Sequence, residues 1–173
     1  WPVTFLVKDT CTEYSFGERS WGNDDEEFPC PEGYMWVSAA RKKDIEWSAM
    51  KDWYLQQAKK RFQALEDMFV TGVMEKEKFL HVKDGCVYSY LSLIYKIGET
   101  EEAFLARCAA TDERKYPVSF CDLIDEDDWL AQGHDYESTE HDEQLALTWD
   151  ETIQEYIDDL DEDDVLVSID YHM

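Results

Sequence analysis

All 16 lysines and arginines of this 173-residue chain lie at or before Lys115, and the 58 residues that follow carry 20 aspartates and glutamates with no base among them. That segment accounts for −20 of the formal net charge of −25, and the preceding 115 residues hold 21 acids and 16 bases, a balance ordinary for a soluble domain. Twenty carboxylates without local counter-ions repel one another and destabilise any compact state. A fold gains nothing from them, so the segregation points outward, to solubility or to a strongly basic partner.

The acidic half is nevertheless expected to fold. Disordered acidic chains are poor in aromatic and β-branched residues, whereas here Phe120, Leu123, Ile124, Trp129, Leu130, Trp149, Ile153, Tyr156, Ile157, Leu160 and the run Val165 to Val167 are interleaved with the acids. The length suits one compact unit. The expected division is a mixed α/β core over 1–115 with near-balanced charge, and a strongly acidic folded lobe over 116–173 packed on it.

Five cysteines, Cys11, Cys30, Cys86, Cys108 and Cys121, are scattered without a CxxC pair. Such usage fits a reducing cytosol better than a disulfide scaffold, and argues against structural zinc. No apolar run approaches the length of a membrane span and no signal-peptide pattern is visible. The expectation is a cytoplasmic protein without membrane association or cofactor.

Along the chain, Val3 to Lys8 reads as a strand with Leu6 on its outer face, Glu18 to Gly33 as a loop, and Tyr34 to Ala39 as a second strand. Trp47, Met50, Tyr54, Ala58, Phe62, Leu65 and Phe69 recur near a 3.6-residue period, which predicts a long helix from about Asp44 to Phe69 with Gly72 as its stop. Asp84-Gly85 between two apolar runs signals a hairpin. Leu91 to Ile97 fits buried strand or helix equally, and Thr100 caps a short helix through Phe104 and Cys108. Leu93 to Ala109 superficially passes for a helix-turn-helix, but only Lys96 and Arg107 are basic there, so direct nucleic-acid binding is not expected.

Beyond Pro117 the pattern predicts three short helices: Asp125 to Gln132, Ser138 to Leu147, and a third capped by Thr148 with Glu151 three residues on, burying Ile153, Tyr156, Ile157 and Leu160. A closing strand alternates Val165, Val167, Ile169 and Tyr171. The fold class is α+β: a small antiparallel sheet on one long helix and several short ones, with an acidic C-terminal helical lobe.

The candidate partner-binding residues are the acids Asp125, Glu126, Asp127 and Asp128, and then Asp150, Glu151, Glu155, Asp158, Asp159, Asp161, Glu162, Asp163 and Asp164. Helical throughout, the last nine would place about one charge per 2.5 Å, against about one per 1.7 Å of duplex DNA axis. Carboxylates at Asp158 to Asp164 crowd a helix C-terminus where the macrodipole favours cations. Local stability is thus expected to be sacrificed there for function. The reading that follows is a DNA mimic, a rigid carboxylate surface occupying the basic channel of a DNA- or RNA-binding protein, with Trp129 or Trp149 as an apolar anchor. In charge pattern the chain resembles the anti-restriction and anti-CRISPR proteins of phages and mobile elements; the resemblance is one of strategy and carries no residue assignments.

Rival readings attach to other features. An immunity protein, antitoxin or acidic chaperone would bind one basic partner by shape. Asp159, Asp161, Asp163 and Asp170 fall at calcium-loop spacings, but Asp164 replaces the turn glycine and Asp170 the bidentate glutamate. His134, Asp135, Glu137, Glu140 and His141 offer metal-ligand chemistry only if their whole span is helical. No nucleophile elbow, phosphate-binding loop, dinucleotide fingerprint or zinc-protease motif is present, so no enzyme is expected. The basic stretch Arg41 to Arg61 suits an intramolecular counter-charge for the acidic half, a homodimer contact or a second partner.

Overall fold

The computed structural model describes residues 5–11, 30–72, 79–89, 92–108, 114–118, 122–124, 129–131 and 140–169. Contacts divide the chain into two compact units, residues 1–50 together with 114–173, and residues 51–113. The fold is α+β, and the described residues form three α-helices and small antiparallel sheets.

In the first unit, β1 (Phe5–Lys8) pairs antiparallel with β2 (Tyr34–Val37), Phe5 opposite Val37 and Lys8 opposite Tyr34. Phe5, Leu6 and Val7 are all fully buried, so both faces of β1 are covered and Leu6 is not the outward residue that alternation predicts. The second predicted strand is broken at Ser38. Beyond it β3 (Ala39–Arg41) pairs antiparallel with β9 (Val165–Val167), Arg41 opposite Val165. A single 3-10 turn, Lys42–Asp44, follows β3, and Ile45 then bridges Val7 before α1 (Trp47–Val70) begins. The helix therefore starts three residues later than its apolar period suggests. Thr71 donates its hydroxyl to the Asp67 carbonyl at 2.7 Å, and Gly72 adopts φ +68°, a left-handed stop that favours glycine.

The acidic segment departs from prediction twice. Leu123 and Leu130 are partners in an antiparallel pair of strands, β7 (Asp122–Ile124) and β8 (Trp129–Ala131), where a helix over Asp125 to Gln132 was expected. The short apolar runs Leu123-Ile124 and Trp129-Leu130 fit a strand pair as well as a helix face, and periodicity over so few residues does not separate them. The two helices predicted next are one, α3 (Glu140–Asp159). Thr148 has the spacing of a cap but lies inside it, because no glycine or proline breaks the chain there and extending a helix costs less than nucleating another.

The second unit holds a three-stranded antiparallel sheet, β4 (Leu80–Lys83), β5 (Cys86–Ser89) and β6 (Ser92–Lys96), in that order. Asp84 (φ +52°) and Gly85 (φ +75°) form the two-residue turn, both in the conformation a type I′ hairpin demands. Of the run that fitted strand or helix equally, Ser92–Lys96 is the strand β6, which removes the first helix of a helix-turn-helix. Thr100 accepts a hydrogen bond from the Ala103 N–H at 3.2 Å and caps α2 (Glu101–Arg107). Phe62 of α1 packs on Phe104 and Tyr95, ring centroids 5.3 and 6.1 Å away, in a cluster with Ala58, Leu65, Val87 and Leu105.

Candidate functional site

Three of the four series of residues four apart in the C-terminal half of α3 bear on the site. Trp149, Ile153 and Ile157 are buried. Asp150, Gln154 and Asp158 form the second series, engaged by the segment 114–118, which lies outside any helix or strand. Arg114 Nη1 lies 3.1 Å from Asp150 Oδ1. The Gln154 side-chain amide accepts from the Tyr116 N–H at 2.8 Å and donates to the Tyr116 carbonyl at 3.0 Å. Asp158 Oδ1 receives the Lys115 ammonium and, at 2.7 Å, the Tyr116 hydroxyl. The ring of Tyr116 meets Trp47 edge-on at 4.7 Å.

The third series, Glu151, Glu155 and Asp159, lies opposite the buried face and is exposed. Among the described residues no cation lies within ion-pair distance of these three. Like charges four apart cost a helix about 0.2–0.5 kcal/mol per pair, whereas burying each large apolar side chain contributes about 1.5–3 kcal/mol. Packing of Trp149, Ile153 and Ile157 therefore holds the repelling stripe in place. Trp149, 1% exposed, is part of that support and is no surface anchor.

Past α3 the acids meet the base-rich turn after β3. Lys42, nearly buried, donates its ammonium to the carbonyls of Asp158 at 3.0 Å and Leu160 at 2.6 Å, and stands 3.8 Å from Glu162. Its N–H donates to the Asp164 carbonyl and that of Lys43 to the Glu162 carbonyl. Asp163 is held by Lys43 and, at 3.6 Å, by Arg41. The helix end that the sequence portrays as an electrostatic sacrifice is thus stabilised by cations more than 110 residues away in the chain. Four of the nine C-terminal candidates, Asp150, Asp158, Glu162 and Asp163, lie within 4 Å of a cation.

These contacts set the electrostatics. The Lys115 ammonium, and then the Tyr116 hydroxyl, hold the Asp158 carboxyl below the usual carboxylate range, and Asp158 in turn raises Lys115. Lys43 lowers Asp163 in the same way. Asp161 and Asp164 close the turn, the Asp161 N–H donating to Asp164 Oδ2 at 2.8 Å.

Asp125, Glu126, Asp127 and Asp128 lie outside the described residues, as do His134, Asp135 and Glu137. Among the described residues no three histidine, cysteine or acidic side chains converge to hold a metal ion, and no helix is long and apolar enough to cross a membrane. The bases that sequence reasoning did not assign to the site, Arg114 and Lys115, had one signal: they are the last two before the base-free segment. No family model, curated protein or solved structure matches the chain.

Proposed function

We propose that this chain is a DNA-mimic inhibitor, which occupies the nucleic-acid-binding channel of a basic protein with the carboxylate surface of its first unit. The observation that carries the reading is how the charge divides. Residues 1–50 and 114–173 hold 30 acids and seven bases, a net of −23, while residues 51–113 hold 11 acids and nine bases. Six of the seven bases, Lys8, Arg41, Lys42, Lys43, Arg114 and Lys115, are already engaged by acids of the same unit. The surplus is left for a partner, and the row Glu151, Glu155 and Asp159 is its ordered part.

Residues four apart on a helix are about 6 Å apart along its axis. A channel built to neutralise regularly spaced phosphates would release its counter-ions to such a row as it does to DNA. Mere solubility would not need the row to be fixed on a packed helix, with its neighbours strapped down by Arg114 and Lys115.

The test is capture of proteins from a bacterial lysate at physiological salt on the immobilised chain, followed by elution with duplex DNA. The mimic requires a nucleic-acid-binding protein that DNA releases, and that the triple variant Glu151→Lys, Glu155→Lys, Asp159→Lys fails to retain while its circular dichroism is unchanged. A single partner that DNA does not displace would instead identify an immunity, antitoxin or chaperone protein.

A further inference from the structure

The outer strand β9 has an unused edge and an unused face. Val165 and Val167 of the strand and Ile169 just beyond it are 40%, 59% and 65% exposed, whereas Leu166 is half-buried and Ser168, the residue after the strand, is buried, so a row of β-branched side chains faces outward. This inverts the usual pattern for a strand bordering solvent. The hydrogen bonding shows what else is free. The Lys42 N–H donates to the Asp164 carbonyl and the Ser168 N–H to the Ser38 carbonyl, at 2.9 and 2.7 Å. Antiparallel ladders alternate, so the pairs Arg41–Val165 and Ala39–Val167 between these bonds are the non-bonded ones. The N–H and C=O groups of Val165 and Val167 therefore point away from β3. Among the described residues no strand pairs with that edge.

An edge with β-branched residues and unspent backbone groups is a template for another strand, and proteins ordinarily blunt such edges with charge, proline or a bulge. Charge here sits just before the edge, at Asp159, Asp161 and Asp164, none of which has a cation within ion-pair distance among the described residues. It selects the occupant. A second copy of the chain would bring a unit of net charge −23 against another, a like-charge juxtaposition that opposes association. An extended segment bearing lysine or arginine beside alternating apolar residues satisfies all three features.

We propose that β9 is the docking edge of this protein, adding an extended basic segment of its partner by strand augmentation, with Val165, Val167 and Ile169 as the apolar contact and Asp159, Asp161 and Asp164 as the charged one. This rests on the reading that the acidic unit binds a basic protein, and adds a register to what charge alone would leave unspecified. Main-chain bonds supply affinity in such docking and alternate side chains supply specificity.

The experiment uses the full chain and a synthetic peptide of alternating valine and threonine flanked by lysines, followed by amide hydrogen exchange and by titration. Peptide binding should protect the amides of Val165 and Val167 by about tenfold or more, and Val167→Pro should weaken binding by about tenfold. Proline is suited to the test because the Val167 N–H points off the sheet, so the ladder to β3 loses no bond; unchanged exchange of the Ala40 and Leu166 amides in the free variant verifies this. Binding that leaves the Val165 and Val167 amides unprotected and is indifferent to Val167→Pro overturns the docking edge while leaving the acidic-surface reading intact. No binding at low salt, where a charge field is strongest, overturns the edge and counts against that reading too.

Discussion

Lys42 and Leu160 are joined by a 2.6 Å hydrogen bond from ammonium to backbone carbonyl, which closes the C-terminal end of α3 with a side chain from the turn after β3. The same ammonium serves the Asp158 carbonyl. Helix C-termini leave their last carbonyls without intrahelical partners and carry a partial negative charge, and here the surrounding carboxylates add to it. A lone buried ammonium would be costly; two carbonyls and Glu162 compensate this one.

Lys42→Met keeps the apolar stem and removes the donor. Two partly buried carbonyls are then left without it, at about 1–3 kcal/mol for an unsatisfied group. Urea unfolding of this variant should show a midpoint lowered accordingly with an unchanged slope. An equal or higher midpoint would mean that desolvation of Lys42 cancels its bonds.

Asp158 and Asp163 give the stability a defined acid limb. Both carboxyls lie below their ordinary value when folded, Asp158 chiefly through Lys115 and Asp163 through Lys43. A folded value below the unfolded one, about 3.9 for aspartate, means that the stabilisation is fully present above that pH and is lost as pH falls through the folded value. Carboxyl titration by NMR should place both midpoints below the ordinary aspartate value. Lys115→Met should move Asp158 upward and leave Asp163 where it is, and Lys43→Met should do the reverse.

Salt should stabilise this protein. Ion pairs such as Arg114–Asp150 weaken on screening, but surface pairs contribute at most about 1 kcal/mol each, and 30 acids against seven bases in one unit make repulsion the larger quantity. At 0.15 M the screening length is about 8 Å, comparable with the spacing along the open row. Between roughly 10 and 200 mM sodium chloride the melting temperature should rise by a few degrees, on the order of 1 kcal/mol for a chain of this length. A falling melting temperature would show that the internal pairs dominate.

Local chemistry made the second unit legible. Asp84-Gly85, the Thr100 cap and the Gly72 stop are each settled within four residues, and the sequence-based reading of all three agrees with the structure. The first unit depends on long-range pairings, and there local reasoning failed. Thr148 has a cap's spacing inside an uninterrupted helix, and Trp149 reads equally as anchor or core until Ile153 and Ile157 are seen buried with it. The crowding of acids from Asp158 to Asp164 was visible in the sequence. Its relief by Lys42, Lys43 and Arg41 was not, because nothing local links those bases to that turn. The inside-out alternation of β9 was missed for a related reason: period-two patterning fixes which residues share a face, and only the pairing of Ala40 with Leu166 decides which face is covered.

The open and strapped acids of α3 should respond to neutralisation in opposite senses. Replacing Glu151 and Glu155 by glutamine and Asp159 by asparagine removes two like-charge contacts four apart, and should raise stability by about 0.5–1 kcal/mol. Replacing Asp150 and Asp158 by asparagine discards the contacts to Arg114 and Lys115, and should lower it. If the open row is a binding surface, the first variant loses partner affinity as it gains stability, a trade-off expected where function holds a site away from its stability optimum. The second variant should keep most of its affinity, since those two charges are already spent inside the molecule. Denaturant midpoints and titration against the captured partner, measured on both variants, give the comparison. A first variant that is more stable and binds as tightly would remove the open row from the interface, whatever the remaining carboxylates do.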